Sequence, residues 1–170
     1  MNAQFLISFV EAAYDVLRME IKSHTTRGRL QLQDHAYITE DVTVLISVVG
    51  QAEGMVFYSM NEKTARSFAS TMMDREFLVF NDLAQSGIAE LSNVITGRAT
   101  MKLAKVGFHA NISPPTIFVG AGASINYRGV PRVIVPLKNN NGGSLTIHLA
   151  LREGSAKGLT PSHLDVYNTW

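Results

Sequence analysis

The chain has 170 residues, with 15 basic and 14 acidic side chains and a formal charge of +1, a balance that leaves no electrostatic footprint for nucleic acid or an anionic membrane. With 46% apolar and 17% charged residues it is not a disordered chain, and the absence of cysteine excludes disulfides, zinc–cysteine sites and thiol chemistry. The length favours one domain able to bury its own core, assigned to residues 1–154, with 155–170 as a C-terminal tail of unknown role.

Residues 4–21 predict an amphipathic helix, since Phe5, Phe9, Ala12, Val16 and Met19 recur at helical spacing. This start has no basic n-region, and Glu11 and Asp15 interrupt its apolar run, so it does not read as a signal peptide. No apolar stretch reaches the roughly 18 residues of a membrane span. The expectation is a soluble, cytoplasmic protein. Ser23–Gly28 is polar and closes the helix. Arg29–Thr39 reads as a strand kinked near Asp34. Val42–Val49 and Met55–Met60 read as a hairpin whose loop, Gly50–Gly54, has glycine at both corners. Asn61 is placed to cap a helix over Glu62–Met73.

A long helix is predicted over Asn81–Ala104, ended by Gly107. Arg98, Lys102 and Lys105 suit the negative end of its dipole. Asn111–Pro115 is a proline-fixed extended segment or turn. Thr116–Val119 and Ala123–Tyr127 read as strand, interrupted by Gly120-Ala-Gly122. That segment is a bulge or close approach rather than a phosphate loop, because a strand and not a helix follows it. Arg132–Leu137 and Ser144–Leu151 form a second hairpin around Asn139–Gly143. Short hairpin links imply a mainly antiparallel sheet, and the long helices must cover it, giving an α/β (α+β) layer arrangement.

The long helix carries the chemical signal. At about 100° per residue, Ala84, Ile88, Leu91 and Ile95 form a buried stripe. Ser86, Glu90, Asn93 and Gly97 fall on the opposite side. Polar residues opposite an apolar stripe are also what any solvated helix shows. The mid-helix glycine costs about 1 kcal/mol relative to alanine and removes bulk beside Asn93. The five histidines form no pair at i, i+3 or i, i+4, so no metal site is expected. His148 reads as a half-exposed position in an alternating strand.

The Ser86-x-x-x-Glu90-x-x-Asn93 pattern, its setting Gly87-Ile-Ala-Glu90-Leu-Ser-Asn93-Val-Ile-Thr-Gly97, the later Ile112-Ser-Pro-Pro-Thr116 and the strand Gly54-Met-Val-Phe-Tyr-Ser59 resemble the CheX branch of the CheC/CheX/FliY chemotaxis phosphatases. The resemblance covers about residues 1–153. CheC and FliY relatives carry a second motif, whereas Glu11-Ala-Ala-Tyr14 has tyrosine where asparagine is needed, which points to CheX. The resemblance implies a CheC-like fold, a homodimer joined at sheet edges, and a phosphorylated CheY-like receiver as substrate. It implies Glu90 and Asn93 as catalytic residues, Asn93 holding the attacking water and Glu90 pairing with the receiver's lysine, with Ser86 and Gly97 contacting the partner. No cofactor is expected on this chain, because the receiver brings its own Mg²⁺. The alternative is a non-catalytic adaptor or dimerisation module of the same fold. The basic edge of Arg98, Lys102 and Lys105 is read either as a dipole partner or as a steering patch for an acidic receiver pocket.

Overall fold

The computed structural model describes residues 1–127 and 129–154. Helix α1 (Ala3–Val16) is capped by Asn2, whose side chain accepts from the Gln4 amide at 2.9 Å. Its path continues as one π-helical turn, Leu17–Ile21, ended by Lys22 in the left-handed region at φ 53°. Two short strands follow, β1 (Thr25–Arg27) and β2 (Gln31–Gln33), then β3 (Tyr37–Ile38). The segment expected to be one kinked strand is therefore divided: β2 pairs with the main sheet and β3 with a separate ribbon. The polar stretch expected only to close the first helix contains β1.

Strands β4 (Val42–Gly50) and β5 (Ala52–Met60) form the first long hairpin. Their mutual ladder stops at Val48 opposite Gly54. Val49 and Gly50 then pair with β6 (Ala110–Ile112), while Ala52 and Glu53 pair with the last strand. Most of the corner that reads as a loop is thus strand, splayed toward two neighbours. Gly54 lies at φ 141°, and a Cβ there would overlap the carbonyl oxygen of Ala150. Only glycine permits that strand approach.

Helices α2 (Glu62–Met73) and α3 (Asp82–Lys105) begin at Asn61 and Asn81. Each asparagine side chain accepts from the third residue's amide, at 2.8 and 3.0 Å. Strands β7 (Thr116–Val119) and β8 (Ser124–Ile125) precede the second hairpin, β9 (Arg132–Asn139) and β10 (Ser144–Glu153). Of the strand expected over Ala123–Tyr127, only Ser124–Ile125 pairs. The expected tail, 155–170, lies outside the described residues.

The main sheet is antiparallel throughout, in the order β1-β9-β10-β5-β4-β6, with β2 beside β1 on β9 and β7 beside β6 on β4. Strict alternation sends one set of side chains to each face. Val42, Val44, Ile46 and Val48 on β4, Val56 and Tyr58 on β5, and Leu145, Ile147 and Leu149 on β10 meet the helices' stripe of Phe5, Phe9, Ile88, Leu91 and Ile95. Each such side chain contributes about 1.5–3 kcal/mol when fully buried. The other face is capped by the β3–β8 ribbon and buries Thr43, Phe57, Ser59, Ile134 and His148.

Candidate functional site

Helix α3 presents the motif because its inner face is fully committed. Ala84, Ile88, Leu91, Ile95 and Ala99 are buried against sheet and helices. Two hydroxyls share that inner face. Thr96 Oγ1 donates to the Ser92 carbonyl at 2.8 Å and accepts from the Tyr58 hydroxyl at 2.7 Å, tying α3 to the central strand β5. Burial pushes the Tyr58 phenol up, so it stays protonated. The sequence reading missed this tether, although Ser92 and Thr96 stand four residues apart on the buried side of the predicted helix.

Opposite that face, Ser86 and Glu90 are exposed, and Asn93 and Gly97 are half-buried. Steps of four, three and four residues put all four on one ridge. A Cβ at Gly97 would meet nothing within 4 Å, so intramolecular packing does not require glycine there. Leu83 and Met101 extend the ridge by one turn at each end and are 45% and 68% exposed. Leu78 and Val79 lie exposed in the loop before the helix. The sequence reading did not single out these apolar flanks, although Leu83 and Met101 continue the motif's own spacing.

The start of α3 is held from several sides. Arg66 Nη1 donates to the Leu78 carbonyl at 3.0 Å, the Phe77 amide to Ser70 Oγ at 3.0 Å, and Gln85 Nε2 to the Phe80 carbonyl at 3.1 Å. Gly87 is buried where α2 crosses, and a Cβ there would come within 2.7 Å of Met73 Cε. Met73 thus packs over the turn that carries Ser86 and Glu90.

Two of the three basic residues at the far end, Arg98 and Lys102, are already engaged. Lys102 Nζ lies 3.1 Å from Glu11 and 3.5 Å from Asp15, and Arg98 lies 4.0 Å from Asp15. These pairs fix the antiparallel packing of α1 on α3, a role that neither reading of that edge anticipated. The pairs are exposed enough to be worth at most about 1 kcal/mol each.

His148 is not half-exposed but buried, at 5% exposure. Its Nε2 lies 3.0 Å from Ser59 Oγ, which donates to Glu40 at 3.1 Å. Burial, with the nearby Arg132 charge second, pushes its pKa down to about 3. The chain therefore cannot use this histidine as a cation at neutral pH. Among the described residues no group of three or more His, Asp or Glu is arranged to hold a metal, and no helix is long and apolar enough to cross a membrane.

A profile of the family described as "Chemotaxis phosphatase CheX" matches residues 42–138. The CheY-P phosphatase CheX of Thermotoga maritima is 28% identical over 155 residues, covering 91% of this chain and 99% of that protein. A chain in the crystal structure of the CheX–CheY–BeF3–Mg²⁺ complex from Borrelia burgdorferi superposes with a TM-score of 0.76 at 27% identity, covering 88% of this chain and 98% of that one. A CheC-like superfamily protein from a Shewanella species superposes with a TM-score of 0.80 at 21% identity, covering 89% and 99%, and shares the fold.

Proposed function

The chain belongs to the CheX family of chemotaxis phosphatases, and on that footing we propose that it hydrolyses the aspartyl phosphate of a CheY-like receiver domain. The observation that carries the reading is the ridge on α3: Ser86, Glu90 and Asn93 stand on consecutive turns, open to a partner, with the bare backbone of Gly97 beyond. An acyl phosphate needs positioning and charge stabilisation more than a covalent nucleophile. The receiver supplies Mg²⁺ and a lysine beside its aspartate. Asn93 enters that site; its amide donates and accepts, so it holds one water in line with the phosphorus. The water oxygen bonds to phosphorus as the bond to the aspartyl oxygen breaks, and the products are inorganic phosphate and a free carboxylate. Glu90 pairs with the receiver's lysine and orients docking, and Ser86 and Gly97 border the contact.

Two further features belong to the same reading. The protein acts in the cytoplasm, where receivers are phosphorylated. It also works as a homodimer joined at a sheet edge, for which the short strands β1/β2 and β6/β7 are the outermost at the two margins among the described residues.

The test is the decay of a candidate receiver phosphorylated by a small-molecule donor. Wild-type protein should accelerate it, and Asn93→Ala should lose nearly all of the acceleration while still binding the receiver. Full activity in Asn93→Ala would overturn the assignment.

A further inference from the structure

A second polar cluster lies on the sheet face away from the helices. There a cavity of about 370 Å³ opens between the sheet and the β3–β8 ribbon, lined by Gln33, Tyr37, Glu40, Arg132, Ile134 and His148 among others. That volume is at the lower end of the range of small-molecule sites.

Arg132 is 6% exposed. Its Nη1 donates to the His35 carbonyl at 3.1 Å and its Nη2 to Gln33 Oε1 at 2.8 Å, both uncharged acceptors. Its Nε has no partner, and no carboxylate among the described residues forms an ion pair with it. A guanidinium has five N–H donors, so three remain to be used. A buried charge with no counter-charge costs several kcal/mol. The Tyr37 ring, 5.3 Å from the guanidinium carbon, offsets a small part of that.

His148 is held in one tautomer. Ser59 Oγ donates to Glu40, so it must accept from His148 Nε2–H. That leaves Nδ1 as a bare acceptor, shut off from solvent and without a partner among the described residues. The one acid among the described residues that line the cavity, Glu40, is exposed at the rim and bonded to Ser59. The cluster thus sets a buried cation, without a counter-charge among the described residues, beside one cavity.

We propose that this cavity binds a small free oxyanion, of the class of phosphate or sulfate, with Arg132 pairing its charge. The site is separate from the α3 ridge, because the two occupy opposite faces of the sheet, and it stands whether or not the ridge is a phosphatase site.

The experiment is an NMR titration of uniformly ¹⁵N-labelled protein at pH 7 and fixed ionic strength, with inorganic phosphate and, separately, sulfate. The Arg132 Nε–H resonance should move along a saturating curve with each anion. In Arg132→Gln, the amides of Gln33 and Ile134 should need about tenfold more phosphate or higher, the loss expected for a charged hydrogen bond. Asn93→Ala should leave the curve unchanged, which separates this site from the ridge. Absent or linear shifts in the wild-type protein, or a curve lost with Asn93→Ala, would overturn the proposal. The wild-type titration decides it alone if Arg132→Gln does not fold.

Discussion

At the scale of single residues, the proposed hydrolysis divides the ridge between docking and chemistry. Glu90 is exposed, a position suited to docking energy shared by ground and transition states. Glu90→Ala should therefore raise KM with little change in kcat, read from steady-state turnover of phosphorylated receiver. His148 governs a different property. Its folded pKa of about 3 lies below the ordinary histidine value of 6.5. The unfolded chain therefore binds a proton that the folded chain resists. Stability attributable to this residue is complete above about pH 6.5 and falls as pH drops toward 3, by up to about 1.4 kcal/mol per unit. Gln in its place keeps a donor for Ser59 but does not titrate. Between pH 6.5 and 4.5, urea unfolding should show wild type losing about 2 kcal/mol more than His148→Gln. The chain displays both residues equally plainly, but only the open face of the ridge was legible. Ser86, Glu90 and Asn93 share that face through local spacing, whereas the burial of His148 is imposed by Tyr37 and the β3–β8 ribbon from outside its own strand.

At the scale of elements, periodicity and caps located the helices well. Asn61 and Asn81 cap as their neighbours predict, and the long helix ends within a residue or two of the expected place. Strand ends were less legible. Gly50 and Gly54 look like turn residues, but at Gly54 the chain needs a bare Cα because the β10 backbone passes against it. Gly54→Ala should cost well over 1 kcal/mol, since it adds steric overlap to an unfavourable φ. A lowered urea midpoint would show it, and an unchanged midpoint would contradict the close approach. The short strand β1 escaped because three residues carry no period of their own. It becomes a strand when β9 offers it backbone partners.

At the scale of the whole molecule, α3 is held on three sides: by ion pairs to α1, by Met73 of α2 over Gly87, and by the Tyr58–Thr96 tether to the sheet. The ridge is thereby a rigid edge rather than a loop, which suits recognition of a preformed pocket. A homodimer should sediment at twice the chain mass of 18.6 kDa. If the joint is a sheet edge, proline at Ile117, whose strand β7 lies at one margin, or at Thr26 in β1 at the other, should abolish the dimer in one of the two cases. Sedimentation at the monomer mass for wild type at micromolar concentration would refute it. By itself the sequence determined the helix positions, the antiparallel class of the sheet and the face of α3 that carries Ser86, Glu90 and Asn93, because helical periods, caps and hairpin turns are local properties of the chain. Only the tertiary structure decided the splayed β4–β5 corner, the pairing of Arg98 and Lys102 with α1, and the buried Arg132–His148 cavity. Each of these depends on segments far apart in the chain, whose meeting is settled by which buried surfaces and backbone edges find one another.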